Sequence, residues 1–143
     1  MRFWDSSAII PLCVQEPLSS TMRELAQDDG DLVVWWGSSV ECCSSFARLR
    51  RENRITRDDE DCLRSLLSSL GECWSEVEAV ERVRTHARRL LLRHPLRAAD
   101  ALQLAAALVW ADGAPEGLGF VCLDHRLREA ARSEGFALFP PSL

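Results

Sequence analysis

The 143 residues supply one domain's worth of material, enough to bury a core, and no apolar run approaches the ~20 residues of a membrane span. Arg2 is followed by only two apolar residues before Asp5, so no hydrophobic segment of a signal peptide is present, and the chain reads as soluble and cytoplasmic. The formal charge is −5, but much of that excess resides in four acids singled out below, so the acidic balance does not exclude an anionic partner.

The first element in chain order is a short apolar strand, Arg2-Phe3-Trp4, followed by a helix opened by Asp5-Ser6-Ser7 and limited by Pro11. A second short helix is expected over 21–27, with Thr21 and Glu24 as a capping box. Leu32-Val33-Val34-Trp35-Trp36 is a continuous apolar run of the kind found in buried parallel strands. Gly37-Ser38-Ser39 caps a helix to about Glu52, and a further helix is expected over 57–70 with Thr56 as its cap. The region around Trp74 reads as a connection. Helical spacing returns over 77–93, breaks at His94-Pro95, and continues over 96–111 in the most apolar helix of the chain. Phe120 to Leu123 forms another buried strand, Asp124 to Ser133 a final helix with Gly135 at its end, and Phe136 to Phe139 a last short strand. Strands separated by helices imply an α/β fold, a parallel sheet of about four strands with helices on both faces.

In such sheets, ligands bind at the carboxyl ends of the strands. Asp5 and Asp124 directly follow strands, and Glu41 lies in the first turn of the helix after the second strand. Asp100 opens a helix that runs back antiparallel to the next strand, so it belongs to the same edge. Singly, each acid has a structural role available, as an N-cap, a capping-box partner or a first-turn acid. Capping does not require four acids on one rim. A group of carboxylates repels itself unless a cation sits within it, and oxygen ligands suit hard ions such as Mg²⁺ or Mn²⁺. Such ions acidify water and stabilise a leaving oxygen, which points to phosphodiester hydrolysis without a protein nucleophile.

Cys13, Cys42, Cys43, Cys62, Cys73 and Cys122 form no C-x-x-C pair and have no histidine at zinc spacing, so they read as reduced, mostly buried apolar side chains. Every basic residue is arginine, a planar bidentate partner for phosphate. Arg48, Arg50, Arg51, Arg54 and Arg57 cluster after Glu41; they read equally as contacts for RNA or a protein partner and as a solvated face paired with Glu52, Asp58 and Asp59. Arg97, three residues before Asp100, is placed to reach a phosphate or to neutralise the acids. Trp4, Trp35 and Trp110 read as core, and Trp74 as a candidate interface residue.

The motifs around the four acids resemble those of PIN-domain nucleases. Asp5-Ser6-Ser7-Ala8, Ser39-Val40-Glu41, Leu96-Arg97-Ala98-Ala99-Asp100-Ala101-Leu102-Gln103-Leu104-Ala105 and Val121-Cys122-Leu123-Asp124 match its acidic motifs in order, and the resemblance spans essentially the whole chain. Spacing and length are most similar to VapC toxins of type II toxin–antitoxin systems. The resemblance implies a single three-layer α/β/α PIN domain over 1–143 and a Mg²⁺- or Mn²⁺-dependent endoribonuclease. It also implies a homodimer and a cognate antitoxin that inserts over the active site. On this reading Asp5 and Asp100 are the chief metal ligands, Glu41 and Asp124 complete the site, and Ser7 supports Asp5. Arg48, Arg51 and Arg97 are candidates for contact with RNA or partner. Cys122 departs from the hydroxyl residue usual two positions before the last acid, which puts a hydrogen bond there in question. The rival readings are a PIN-fold RNA-binding or partner-docking module without turnover, and a phosphatase, which would want a second Asp where Ser7 stands.

Overall fold

In a computed structural model describing residues 1–143, the apolar runs form strands whose successive side chains point to opposite faces, and both faces are covered. The elements are β1 (Arg2–Trp4), α1 (Ser6–Cys13), α2 (Ser19–Asp29), β2 (Leu32–Trp35), α3 (Ser38–Arg51) and α4 (Arg57–Gly71). They continue as β3 (Trp74–Val77), α5 (Glu81–Arg93), α6 (Ala98–Trp110), β4 (Gly119–Val121), α7 (His125–Glu134) and β5 (Ala137–Phe139). The sheet is entirely parallel, in the order β3-β2-β1-β4-β5.

Alternation along each strand divides the core in two. Phe3, Val33 and Phe120 face one cluster with Leu90, Leu104 and Leu127, contributed by α5, α6 and α7. Trp4, Val34 and Val121 face the other with Ile9, Met22 and Phe46, contributed by α1, α2 and α3. Phe3 stacks on Phe120 at 5.4 Å between ring centroids. The result is the three-layer α/β/α architecture expected, with β1 at its centre between β2 and β4.

The sheet has five strands, one more than the apolar runs mark. The additional strand is β3, in the segment read as a connection: its Ser75 and Glu76 are exposed, so it has no buried run to announce it. As an edge strand it pairs only with β2, and a charged residue there discourages further pairing. Pro11 does not end α1, which continues to Cys13; a proline late in a short helix removes only one backbone hydrogen bond. Several helix ends differ from the sequence reading by a residue or more: α2 extends to 19–29, α5 begins at Glu81 and α6 at Ala98. α4 carries a capping box between Thr56 and Asp59, and α7 closes on Gly135 in the left-handed region, φ 109°. Trp74 lies half-buried in β3. Cys42 and Cys122 are buried, Cys13 and Cys43 half-buried, and Cys62 and Cys73 exposed, so burial holds for fewer of the thiols than their apolar surroundings imply.

Candidate active site

The chain leaves β1 at Trp4 and β4 at Val121 side by side, and the Asp5 N–H donates to the Val121 carbonyl at 2.9 Å. That bond draws the first acid to the central pair of strand ends. Asp5 is also the N-cap of α1: its Oδ2 accepts from the Ser7 N–H at 3.0 Å and from the Ser7 hydroxyl. The Ser7 hydroxyl accepts in turn from the Leu123 N–H at 2.9 Å, tying α1 to the link between β4 and α7. Cys122 Sγ lies 3.6 Å from the same Asp5 oxygen. Burial pushes the Cys122 thiol far up, which keeps it neutral and able to donate, so the cysteine preserves the link to Asp5.

Glu41 comes from the first turn of α3. Its Oε2 accepts from the Ser6 hydroxyl at 2.9 Å and its Oε1 from the Gln103 amide at 3.1 Å. Gln103 Nε2 also donates to the Ser38 hydroxyl at 3.0 Å. Ser38 and Glu41 therefore share a partner on α6, and no side chain caps α3, so the capping-box role available to Glu41 is not the one it plays. Asp100 stands in the first turn of α6, with Oδ2 accepting from the Arg97 N–H at 3.3 Å. Asp124 is exposed and caps α7, its Oδ1 accepting from the Leu127 N–H at 2.8 Å.

The four acids feel one another. Burial raises the Asp5 carboxyl despite its hydrogen bonds, and Asp100 raises it further. Glu41 is pushed up to about 7, first by burial and then by Asp5. Asp100 is raised by burial and by Asp124, against the Arg97 N–H that lowers it. Electrostatic contact thus runs from Glu41 through Asp5 and Asp100 to Asp124. The acids form an open rim rather than a closed cage, for no three His, Cys, Asp or Glu side chains group as a ready-made metal site.

The donor set fits a hard, hydrated cation. All four donors are carboxylates, and Asp5 Oδ1, Asp100 Oδ1 and Asp124 Oδ2 accept no hydrogen bond from the protein. Mg²⁺ commonly takes one or two carboxylates and retains several waters, so an open rim suits it, whereas a structural zinc site would need a closed set of nitrogen or sulfur ligands.

Arginines border this rim in two places. Arg97 and Arg126 line a cleft of about 210 Å³ with Asp100 and Asp124. Arg48 and Arg54 line another of about 320 Å³ with Ser7, Glu16, Ser45 and Asp124. Arg51 is exposed and lines neither cleft, and Arg50 is paired with the buried Glu60. The acids Glu52, Asp58 and Asp59, expected to pair with this cluster, form no ion pair with it; Asp59 serves Thr56 instead. The most apolar cavity, about 260 Å³ lined by Leu12, Ala26, Leu32, Leu70 and Trp74, lies at the opposite edge, where β2 and β3 begin.

Ser6, Ser38, Gln103 and Arg126 have roles at the rim that the acidic motifs do not announce. Gln103 had a signal: it is a polar residue between Leu102 and Leu104 in an apolar helix, three residues after Asp100 and thus on the same face. Arg126 had only its closeness to Asp124.

No family model matches the chain. Two curated proteins of Mycobacterium tuberculosis do match, Ribonuclease VapC45 of strain CDC 1551 / Oshkosh and Ribonuclease VapC49 of strain ATCC 25618 / H37Rv. Each is 29% identical over 150 residues, covering 99% of this chain and 96% of the relative. The crystal structure of FitAcB from Neisseria gonorrhoeae shares the fold, with a TM-score of 0.64 at 15% identity, covering 99% of this chain and 98% of that one. The chain is thus VapC-like along its whole length, as its four acidic motifs imply.

Proposed function

We propose that this VapC-like chain is a metal-dependent endoribonuclease that hydrolyses RNA phosphodiester bonds, and that it is the toxin of a type II toxin–antitoxin pair. The observation that carries the reading is the rim itself: Asp5, Glu41 and Asp100 are each raised by burial and by a neighbouring acid, Asp124 being the neighbour of Asp100, and three aspartates each retain an oxygen without a protein donor. The ribonuclease names of relatives matched along nearly the whole chain support it.

Asp5 and Asp100 would hold Mg²⁺ or Mn²⁺, with Glu41 and Asp124 binding directly or through water. When bound, such an ion supplies an acidified water and neutralises charge on the phosphoryl and leaving oxygens. The remaining work belongs to the chain. Ser7 holds Asp5 Oδ2 from two sides, directing Oδ1 toward the rim. Ser6 and Gln103 occupy the two oxygens of Glu41 and fix its carboxylate plane. The α6 amide at Arg97 and the α7 amide at Leu127 orient Asp100 and Asp124. A site fixed in this way pays its reorganisation on folding rather than during reaction.

The same reading carries a cognate antitoxin that covers the rim, and a homodimer. Large apolar side chains left exposed at Trp36, Val40, Val80 and Leu92 support a protein–protein interface. No helix is long and apolar enough to cross a membrane.

The deciding experiment is cleavage of structured RNA by the purified protein in Mn²⁺, in EDTA, and with Asp100→Asn. Cleavage that needs both metal and Asp100 is the expected result. A folded protein that binds RNA but cuts none in Mn²⁺ would favour the module without turnover. Growth arrest on expression, relieved by the same substitution, tests the toxin assignment separately.

A further inference from the structure

Most arginines of this chain have protein partners. Arg50 and Arg64 pair with Glu60, Arg82 with Asp112, Arg84 with Glu81, Arg93 with Glu134 and Arg132 with Glu129. Buried Arg128 donates to the carbonyls of Cys122, Phe139 and Pro140. Arg48, Arg51, Arg54, Arg57, Arg88, Arg97 and Arg126 are exposed and make no ion pair or side-chain hydrogen bond, and of these seven only Arg48, Arg54, Arg97 and Arg126 line the clefts at the acidic rim. They come from separate elements, Arg48 from the last turn of α3, Arg54 from the link to α4, Arg97 from the N-cap of α6 and Arg126 from the first turn of α7. Yet they line two clefts that share Asp124 as a common wall.

Arg97 and Arg126 sit at helix N-termini, where a cation opposes the helix dipole, and what they face there is Asp100, whose charged form both favour without forming an ion pair with it. At Arg54 the chain has just turned through Asn53 in the left-handed region, φ 56°, which carries the arginine off the end of α3 and beside the cleft.

We propose that the two clefts are the halves of one track for a single RNA strand. Arg97 and Arg126 hold a backbone phosphate on one side of the cut, and Arg48 and Arg54 hold one on the other, with the scissile phosphate between them over the acids. The inference rests on the ribonuclease reading, because the carboxylates in each wall (Asp100 and Asp124 in one, Glu16 and Asp124 in the other) repel a phosphodiester until a cation neutralises the rim. A phosphodiester chain offers an anion at every nucleotide, which suits paired guanidinium groups spaced around a central acidic zone. Volumes of about 210 and 320 Å³ are of the size of individual nucleotide units, and the shared wall at Asp124 makes the two clefts neighbours along one path.

The test is binding of a fluorescent single-stranded RNA of about 12 nucleotides by anisotropy across a salt series, in EDTA and in Ca²⁺, with the RNA checked intact on a gel. Each phosphate contact on a single strand contributes about 0.7 to the slope of log affinity against log salt. Arg97→Gln with Arg126→Gln, which removes one phosphate contact, should lower the slope by about 0.7, and Arg48→Gln with Arg54→Gln by a similar amount. Each pair should weaken binding on the order of tenfold at low salt, and the quadruple variant should lose the sum at one RNA per chain. Arg88→Gln, on the exposed face of α5, should bind as wild type. Far-UV circular dichroism and the melting midpoint check that the variants fold, as unpaired surface side chains should allow. The track is overturned if either pair leaves slope and affinity at wild-type values, or if two RNAs bind per chain. If wild type cuts RNA while the variants bind it normally, only the track falls, and the arginines are left for a protein partner. If wild type neither binds nor cuts, the ribonuclease reading falls and the track with it.

Discussion

Gln103 donates its amide N–H to Glu41 at 3.1 Å while its own carbonyl oxygen, fully buried, has no partner. The amide is oriented for the acid and for Ser38, and the structure leaves the other end of the side chain unsatisfied. Orientation of Glu41 by α6 thus comes at the expense of a buried polar atom.

Gln103→Met keeps the volume and removes both donors. The expected cost is about 1 kcal/mol, at the low end for a buried hydrogen-bonding group, because the substitution also removes the unpaired carbonyl. Urea denaturation measures it. A loss of several kcal/mol would mean that the carbonyl has a partner the structure does not contain.

The metal-free protein should become less stable as pH rises from about 5 to 7. Glu41 has its folded value raised from 4.5 to about 7, so between these values the folded state binds more protons than the unfolded state, and stability falls with rising pH. Asp5 and Asp100 are shifted in the same direction. Burial holds His86 below its usual value, which contributes the opposite slope near pH 6.5. Glu41→Gln isolates the acid's share: in EDTA its melting temperature should depend less on pH than that of wild type. Parallel curves for the two proteins would refute the coupling.

Asp5→Asn should separate stability from activity. Removing a buried charge that its neighbours oppose should stabilise the metal-free protein by on the order of 1 kcal/mol, while cleavage drops more than about 100-fold. Wild type should also gain thermal stability on addition of Mn²⁺, by linkage of binding to folding, and the variant should not. Equal stabilisation of both by Mn²⁺ would remove Asp5 from the ligand set.

Ser7→Ala should damage both. It deprives Asp5 of a donor and leaves the Leu123 N–H without its acceptor, at a cost of about 1–3 kcal/mol. Activity should fall ~10–100-fold, as for other groups that orient a metal ligand. Unchanged cleavage at saturating Mn²⁺ would show that Asp5 orients itself.

The α/β class and the four acids were legible in the residues because their signals are local. Buried parallel strands read as apolar runs, and Asp5 and Asp124 directly follow two of them. β3 was not legible, since an edge strand buries little and half of its residues are exposed. The pairing of Arg50 with Glu60, ten residues away and across a turn, could not be distinguished from pairing with nearer acids by charge pattern alone. It is this pairing that removes Arg50 from the basic cluster and leaves Arg48 and Arg54 beside the rim.

The layered architecture and the edge of the sheet at which the acids gather follow from the residue pattern, because strand and helix periodicity are short-range and the end of a parallel strand is known once its direction is. Which side chains hold each acid, and which arginines remain free, depends on how distant elements pack. Gln103 reaches Glu41 across 62 residues of chain and Cys122 reaches Asp5 across 117, contacts that arise from packing α6 against the sheet and β4 against β1 and that no local pattern encodes.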